Sequence, residues 1–253
     1  MNKTITFYKK IGETPLQCID RLRREQPELA DEKISYAGRL DPMAEGEMLF
    51  MIGGANHERE KNLGLDKEYE FQILFGVSTD TGDVLGLVKN FSEQEISLTS
   101  QDVEGELKKL VGKIEQVYPW YSSKTINGKP LFEYAREGKQ DEIERPTREV
   151  EIYSLELLET RNIDKEDLQK YIENKIYLVR GDFRQDEILQ TWKKYFEADA
   201  LPEYQIAKIK IKCSSGTYVR ALTEMVGDKL GISTLALSIN RVRVVSLNKG
   251  EEK

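Results

Sequence analysis

Residues 67–83 read KEYEFQILFGVSTDTGD. Tyr69, Phe71, Ile73, Phe75 and Val77 alternate there with mainly polar neighbours, the period of two expected of a half-buried strand. STDTGD closes that strand as a turn. The same alternation recurs in AKIKIKC, where Ala207, Ile209, Ile211 and Cys213 share one face and three lysines the other. ITFYKK near the start and EVEIYSLELLE at 149–159 also predict strands.

Helical spacing separates these strands. Pro15 to Gln26 predicts an amphipathic helix with Leu16, Ile19 and Leu22 on its apolar stripe, and Thr99 to Leu110 a polar one. SSGTYVRALTEMVGDKL predicts a helix with Ser214 or Ser215 as its cap and Gly231 at its end. Between about 160 and 203 the character changes: DKEDLQKYIEN and QDEILQTWKKYFEAD carry helical spacing, with KIYLVRG as a candidate strand between them. The whole predicts an α+β fold, one domain over 1–253 with a helical insertion at about 160–203.

The 253 residues are 39% hydrophobic and 33% charged, a globular composition. No apolar run reaches the roughly 18 residues of a membrane span and no signal peptide opens the chain, so a cytoplasmic protein is expected. Cys18 and Cys213 are too few for a disulfide framework or a four-cysteine zinc site, and read as small buried hydrophobes. His57, the single histidine, removes multi-histidine metal sites and reads as a solvated surface residue. Acid–base chemistry falls to carboxylates, Lys or Tyr. A net charge of −7 counts against nucleic-acid binding unless the cations gather on one face.

GRLDPMAEG, residues 38–46, admits a purely local reading: Asp41 as a helix N-cap with Pro42 at the first helical position, and Gly38 and Gly46 where backbone approaches a ligand. STDTGD is only loosely like a calcium loop, and Arg220 has Glu224 one helical turn on as a simple partner.

Five blocks, taken in order, resemble the TruB family of tRNA pseudouridine synthases: KKIGETP, GRLDPMAEG, KEYEFQILFGVSTDTGD, PWYSSKTINGKPLFEYAREG and CSSGTYVRAL. The resemblance implies a mixed, mostly antiparallel central sheet flanked by helices and loops. It makes Asp41 the catalytic aspartate, Tyr69 the ring that stacks on the target base, Asp83 a member of the charge network and Arg220 the partner of Asp41. It implies isomerisation of a uridine in the tRNA T-loop after base flipping, without metal or organic cofactor, by a monomer that binds the T-arm. Lys9, Tyr36, Arg39, Lys124, Lys129 and Arg136 become candidate RNA contacts, and Ile239, in SINRVRVV, a pocket position. Tyr36 stands where bacterial members carry His, and the C-terminal PUA domain of many members is expected to be absent. The Gly-Arg-Leu-Asp wording is also similar to RsuA-like ribosomal RNA synthases, leaving rRNA modification or a tRNA-folding module as alternatives.

Overall fold

The structure, a computed structural model, describes residues 2–198 and 201–245. In chain order the first half comprises β1 (Asn2–Lys9), α1 (Pro15–Glu25), β2 (Ile34–Ala37), β3 (Ala44–Gly53), α2 (Arg59–Leu63), β4 (Asp66–Phe75), β5 (Val77–Thr79), β6 (Val88–Phe91), α3 (Ser100–Lys108) and β7 (Gly112–Val117). There follow β8 (Thr125–Ile126), β9 (Lys129–Pro130), α4 (Leu131–Arg136), β10 (Thr147–Asp164), α5 (Lys165–Leu178), α6 (Gln185–Glu197), β11 (Glu203–Cys213), α7 (Val219–Leu230) and β12 (Thr234–Val245).

Among the described residues, eight strands form one mixed, mostly antiparallel sheet in the order β1-β3-β12-β4-β11-β10-β7, with β2 also on β3, and the β12–β3 strand pairing is the parallel one. The expected alternation in β4 is real. Phe71, Ile73 and Phe75 bury one face against Ile209 and Ile211 of β11, with Val103 and Leu107 of α3 and Leu222 and Val226 of α7 in the same cluster. Leu74, Ile206, Leu235 and Leu237, of opposite parity, join a second cluster with Leu168, Ile172 and Ile176 of α5 and Ile188 and Trp192 of α6. Both faces of the sheet are therefore covered at this end, and each large aliphatic side chain so buried contributes about 1.5–3 kcal/mol.

Several local expectations change. Residues 160–164 extend β10, so the helical part of the expected insertion starts at Lys165; positions 199–200 lie outside the described residues. KIYLVRG does not form a strand: α5 runs through Leu178, because Leu168, Ile172 and Ile176 continue one apolar stripe. In α1 the buried stripe is Cys18, Ile19 and Leu22, while Leu16 is 64% exposed. Neither Ser214 nor Ser215 caps α7; Tyr218 is the N-cap, and the Ser214 Oγ accepts from the Glu151 amide instead. Gly231 does end α7, in the left-handed conformation. Both cysteines are free and buried, and His57 is exposed.

Candidate active site

Asp41 is not a helix cap. It lies in the turn that enters β3, because the next residues are claimed by the sheet: Ala44–Gly46 pair with Ile239–Arg241 of β12. Gly46 has φ 118°, and a Cβ there would stand 2.3 Å from the Arg241 carbonyl oxygen, so this glycine admits the protein's own backbone, not a ligand's. The Lys9 ammonium holds the turn from beneath, donating to the carbonyls of Ala44 at 2.5 Å and Lys10 at 3.1 Å, and the Gly12 amide donates to the Pro42 carbonyl at 2.8 Å. Burial pulls the Lys9 ammonium down to about 8, against the opposing pull of Asp41. Lys9 is 0% exposed; it braces the Asp41 turn and does not face solvent as an RNA contact must.

Arg220, in the first turn of α7, is 3% exposed and reaches Asp41 Oδ2 from Nη2 at 2.7 Å and from Nε at 2.9 Å. Nη2 also donates to the Tyr121 carbonyl at 3.0 Å and Nη1 to that of Thr81, so its planar fork is set by three chain segments at once. Its ion pair runs to Asp41 and not to Glu224. Asp41 keeps 34% of its side chain open. Asp83 lies behind the pair, its Oδ2 3.7 Å from Arg220 Nε and its Oδ1 accepting from Thr81 Oγ1 and the Leu85 amide.

Burial pushes the Asp83 carboxyl up from 3.8 to about 6, with Arg220 opposing and Asp41 reinforcing the rise. An acid with a raised folded value binds its proton more tightly when folded, so its contribution to stability falls as pH rises through that window and is fully lost above about 6. Asp83→Asn removes this term. Whatever the constant offset of the substitution, unfolding free energies measured from pH 4 to pH 7 should show the variant gaining on the wild type by up to about 3 kcal/mol. A difference flat across that range would mean that Asp83 does not titrate there.

Asp41, Asp83 and Arg220 meet in a cleft of about 660 Å³ that Tyr69 and Ile239 also line. Tyr69 is 7% exposed, and burial raises its phenol above the ordinary value. Among the described residues, Asp41 and Asp83 are the acidic side chains of this lining, against seven cationic ones: Arg39, Lys67, Arg136, Arg148, Arg184, Arg220 and Arg241. A chain of net charge −7 thus concentrates positive potential in its cleft.

Of the other expected contacts, Arg39 and Arg136 line the cleft. Tyr36 packs against the core from β2. Lys124 lies over the Tyr118 ring at 5.2 Å and Lys129 pairs with Glu137 at 2.6 Å, both outside the cleft lining. Lys67, Arg148, Phe183, Arg184 and Arg241 were not anticipated. Lys67 has the same strand parity as Tyr69, and Arg241 lies two residues beyond Ile239 on the same strand, so inward direction was readable for both. Their burial, 5% and 1% exposed, was not, because it depends on backbone acceptors: the Leu63 carbonyl for Lys67 and the Glu47 and Gly38 carbonyls for Arg241.

The chain is 31% identical over 231 residues to a tRNA pseudouridine synthase B of Bacillus thuringiensis, covering 91% of this chain and 62% of that protein. It is 33% identical to one of Lactobacillus gasseri, with 95% of this chain and 68% of that protein covered. Among solved structures it is similar to a Cbf5–Nop10–Gar1 complex at a TM-score of 0.56 and 16% identity, over 95% of this chain and 48% of that one. An H/ACA RNP bound to a substrate RNA containing 2′-deoxyuridine is similar at a TM-score of 0.55 and 15% identity, over 95% of this chain and 47% of that one. These structural likenesses concern the fold. The TruB family pseudouridylate synthase (N terminal domain) pattern matches residues 26–178, and with the sequence relatives it shows that the chain belongs to the TruB family of pseudouridylate synthases.

Proposed function

We propose that this protein isomerises a uridine of the tRNA T-loop to pseudouridine, with Asp41 as the reacting carboxylate. The observation that carries the reading is the Asp41–Arg220 pair at 2.7 Å, one partner almost wholly buried and the other open to a cationic cleft. A guanidinium held by three segments aims the carboxylate and sets a fixed positive charge beside it, without proton exchange of its own. In the reaction the N-glycosidic bond breaks, the uracil turns, and a bond from C5 to C1′ replaces it. The proton that leaves C5 is matched by one gained at N1, so the isomerisation balances without an oxidant or reductant.

A uridine inside folded RNA reaches the cleft only if it is flipped out of its stack. Tyr69, beside Asp41 in the cleft, offers a ring face for the everted base, and base–aromatic stacking contributes about 1–3 kcal/mol. Arg39 and Arg136 at the cleft supply charge for the backbone, and relatives named tRNA pseudouridine synthase B favour tRNA as the RNA. Such a substrate places the work in the cytoplasm.

The test is incubation with unmodified tRNA and ribosomal RNA transcripts, followed by mapping of pseudouridine. Product in the T-loop supports the reading. Product in ribosomal RNA alone moves the protein to the other substrate, and no product from either RNA with enzyme in stoichiometric excess rejects catalysis in favour of an RNA-folding role.

A further inference from the structure

The turn between α5 and α6 is a part of the cleft wall that lies outside every quoted family motif. It carries Phe183 and Arg184 into the same lining as Asp41 and Tyr69. Three neighbours fasten it. The Arg180 amide donates to the Gly12 carbonyl at 3.4 Å, Gln17 Nε2 to the Arg180 carbonyl at 3.5 Å, and Arg136 Nη2 to the Asp182 carbonyl at 3.4 Å. Gly12 itself has φ 84°, and a Cβ there would stand 2.1 Å from the Leu178 carbonyl oxygen. The end of α5 therefore packs directly on the loop that holds Pro42 and, next to it, Asp41.

Arg184 is held in an unusual way. Its φ of 63° lies in the left-handed region, where a non-glycine residue persists only if its surroundings over-determine it. Its guanidinium lies 4.7 Å over the Tyr121 ring, and Nη1 donates to Asp80 Oδ2 at 2.9 Å. Among the described residues Nε and Nη2 have no hydrogen-bond acceptor. A rigid turn thus presents to the cleft a guanidinium with unused donors and, one residue before it, a partly exposed phenyl ring.

We propose that Phe183 and Arg184 form a subsite for the nucleotide next to the everted uridine, Arg184 binding its phosphate and Phe183 stacking on its base. The proposal rests on the RNA-modifying reading of the cleft. Its chemistry is that of other single-stranded contacts: a guanidinium fork matches a phosphate, and a ring face takes any unstacked base. It gives the α5–α6 hairpin a part in substrate selection as well as in covering the sheet.

The experiment compares wild type, Phe183→Ala, Arg184→Gln and Arg184→Lys on a tRNA transcript and on an isolated T-arm stem-loop, reading kcat and KM separately across salt concentrations. Arg184→Gln should raise KM about tenfold with kcat within about twofold, and flatten the dependence of log KM on log salt by about 0.7–0.9, the loss of one phosphate contact. Phe183→Ala should raise KM about tenfold and leave the salt slope in place. Arg184→Lys should restore the slope, because one ammonium still neutralises one phosphate. If Arg184 only braces Tyr121 and Asp80, both Arg184 variants lower Tm and neither moves the slope, which overturns the proposal, as does an unchanged KM in Arg184→Gln. Should the wild type bind these RNAs without isomerising them, the same slope read in a binding titration tests the subsite independently of catalysis.

Discussion

Asp41→Asn should lower single-turnover pseudouridine formation by about 10⁴-fold or more, the scale seen when a reacting side chain is removed from a preorganised site. The asparagine is nearly isosteric, and its amide oxygen can still accept from Arg220. What it lacks is the negative charge and the electron pair that a carboxylate offers to a ring carbon, a sugar carbon or a ribose proton. Arg220 retains the Thr81 and Tyr121 carbonyls and the Asp83 carboxylate, so the cation is not orphaned and Tm should move little. RNA affinity should stay within about threefold, since the substitution leaves the cleft more positive. Thermal unfolding and filter binding check these last two points, and turnover within about tenfold of wild type would remove Asp41 from the reaction.

That prediction rests on four residues that the family resemblance singled out in the sequence and on a support around them that it did not. Asp41, Tyr69, Asp83 and Arg220 lie at separate points of the chain, and the structure gathers all four in one cleft. The strand alternation of β4 and β11 was legible because one face is buried, which ties residue type to direction. Asp41-Pro42 was not legible locally: the dipeptide suits a helix start, and only the pairing of Ala44 with Ile239 and the donation from Lys9 make it a strand entry. KIYLVRG failed for a related reason. Its Ile, Tyr, Leu and Val suit a strand, but α5 already carries a stripe that ends on Ile176, and packing over Leu74 and Ile206 decides the conformation. Lys9 was expected as an RNA contact and Lys67 was not singled out, because a buried lysine is marked by backbone acceptors and no side-chain pattern announces those.

Arg220→Met separates what the ion pair does for the fold from what it does for the reaction. Methionine fills similar space and removes the charge, leaving Asp83, 5% exposed, without its cation and the Thr81 and Tyr121 carbonyls without a donor. Breaking a buried pair in this way costs about 3–5 kcal/mol, which for a domain of this size lowers Tm by about 6–20 °C. Asp83 already titrates near 6, and loss of the guanidinium moves that value higher. The folded variant then takes up a proton that the unfolded chain releases near 3.8, so destabilisation relative to wild type should be larger at pH 8 than at pH 5. Asp41 keeps 34% of its side chain in contact with solvent and adds less to this cost. Adding Asp83→Asn to Arg220→Met removes the uncompensated charge, so the double variant should regain a large part of the lost stability and flatten the pH dependence, read by urea unfolding at several pH values. It should regain no activity, because Asp41 would still lack the fork that aims it. A double variant as unstable as the single one would place the loss in the orphaned carbonyls and not in Asp83, whereas recovered turnover would show that the reaction does not need Arg220.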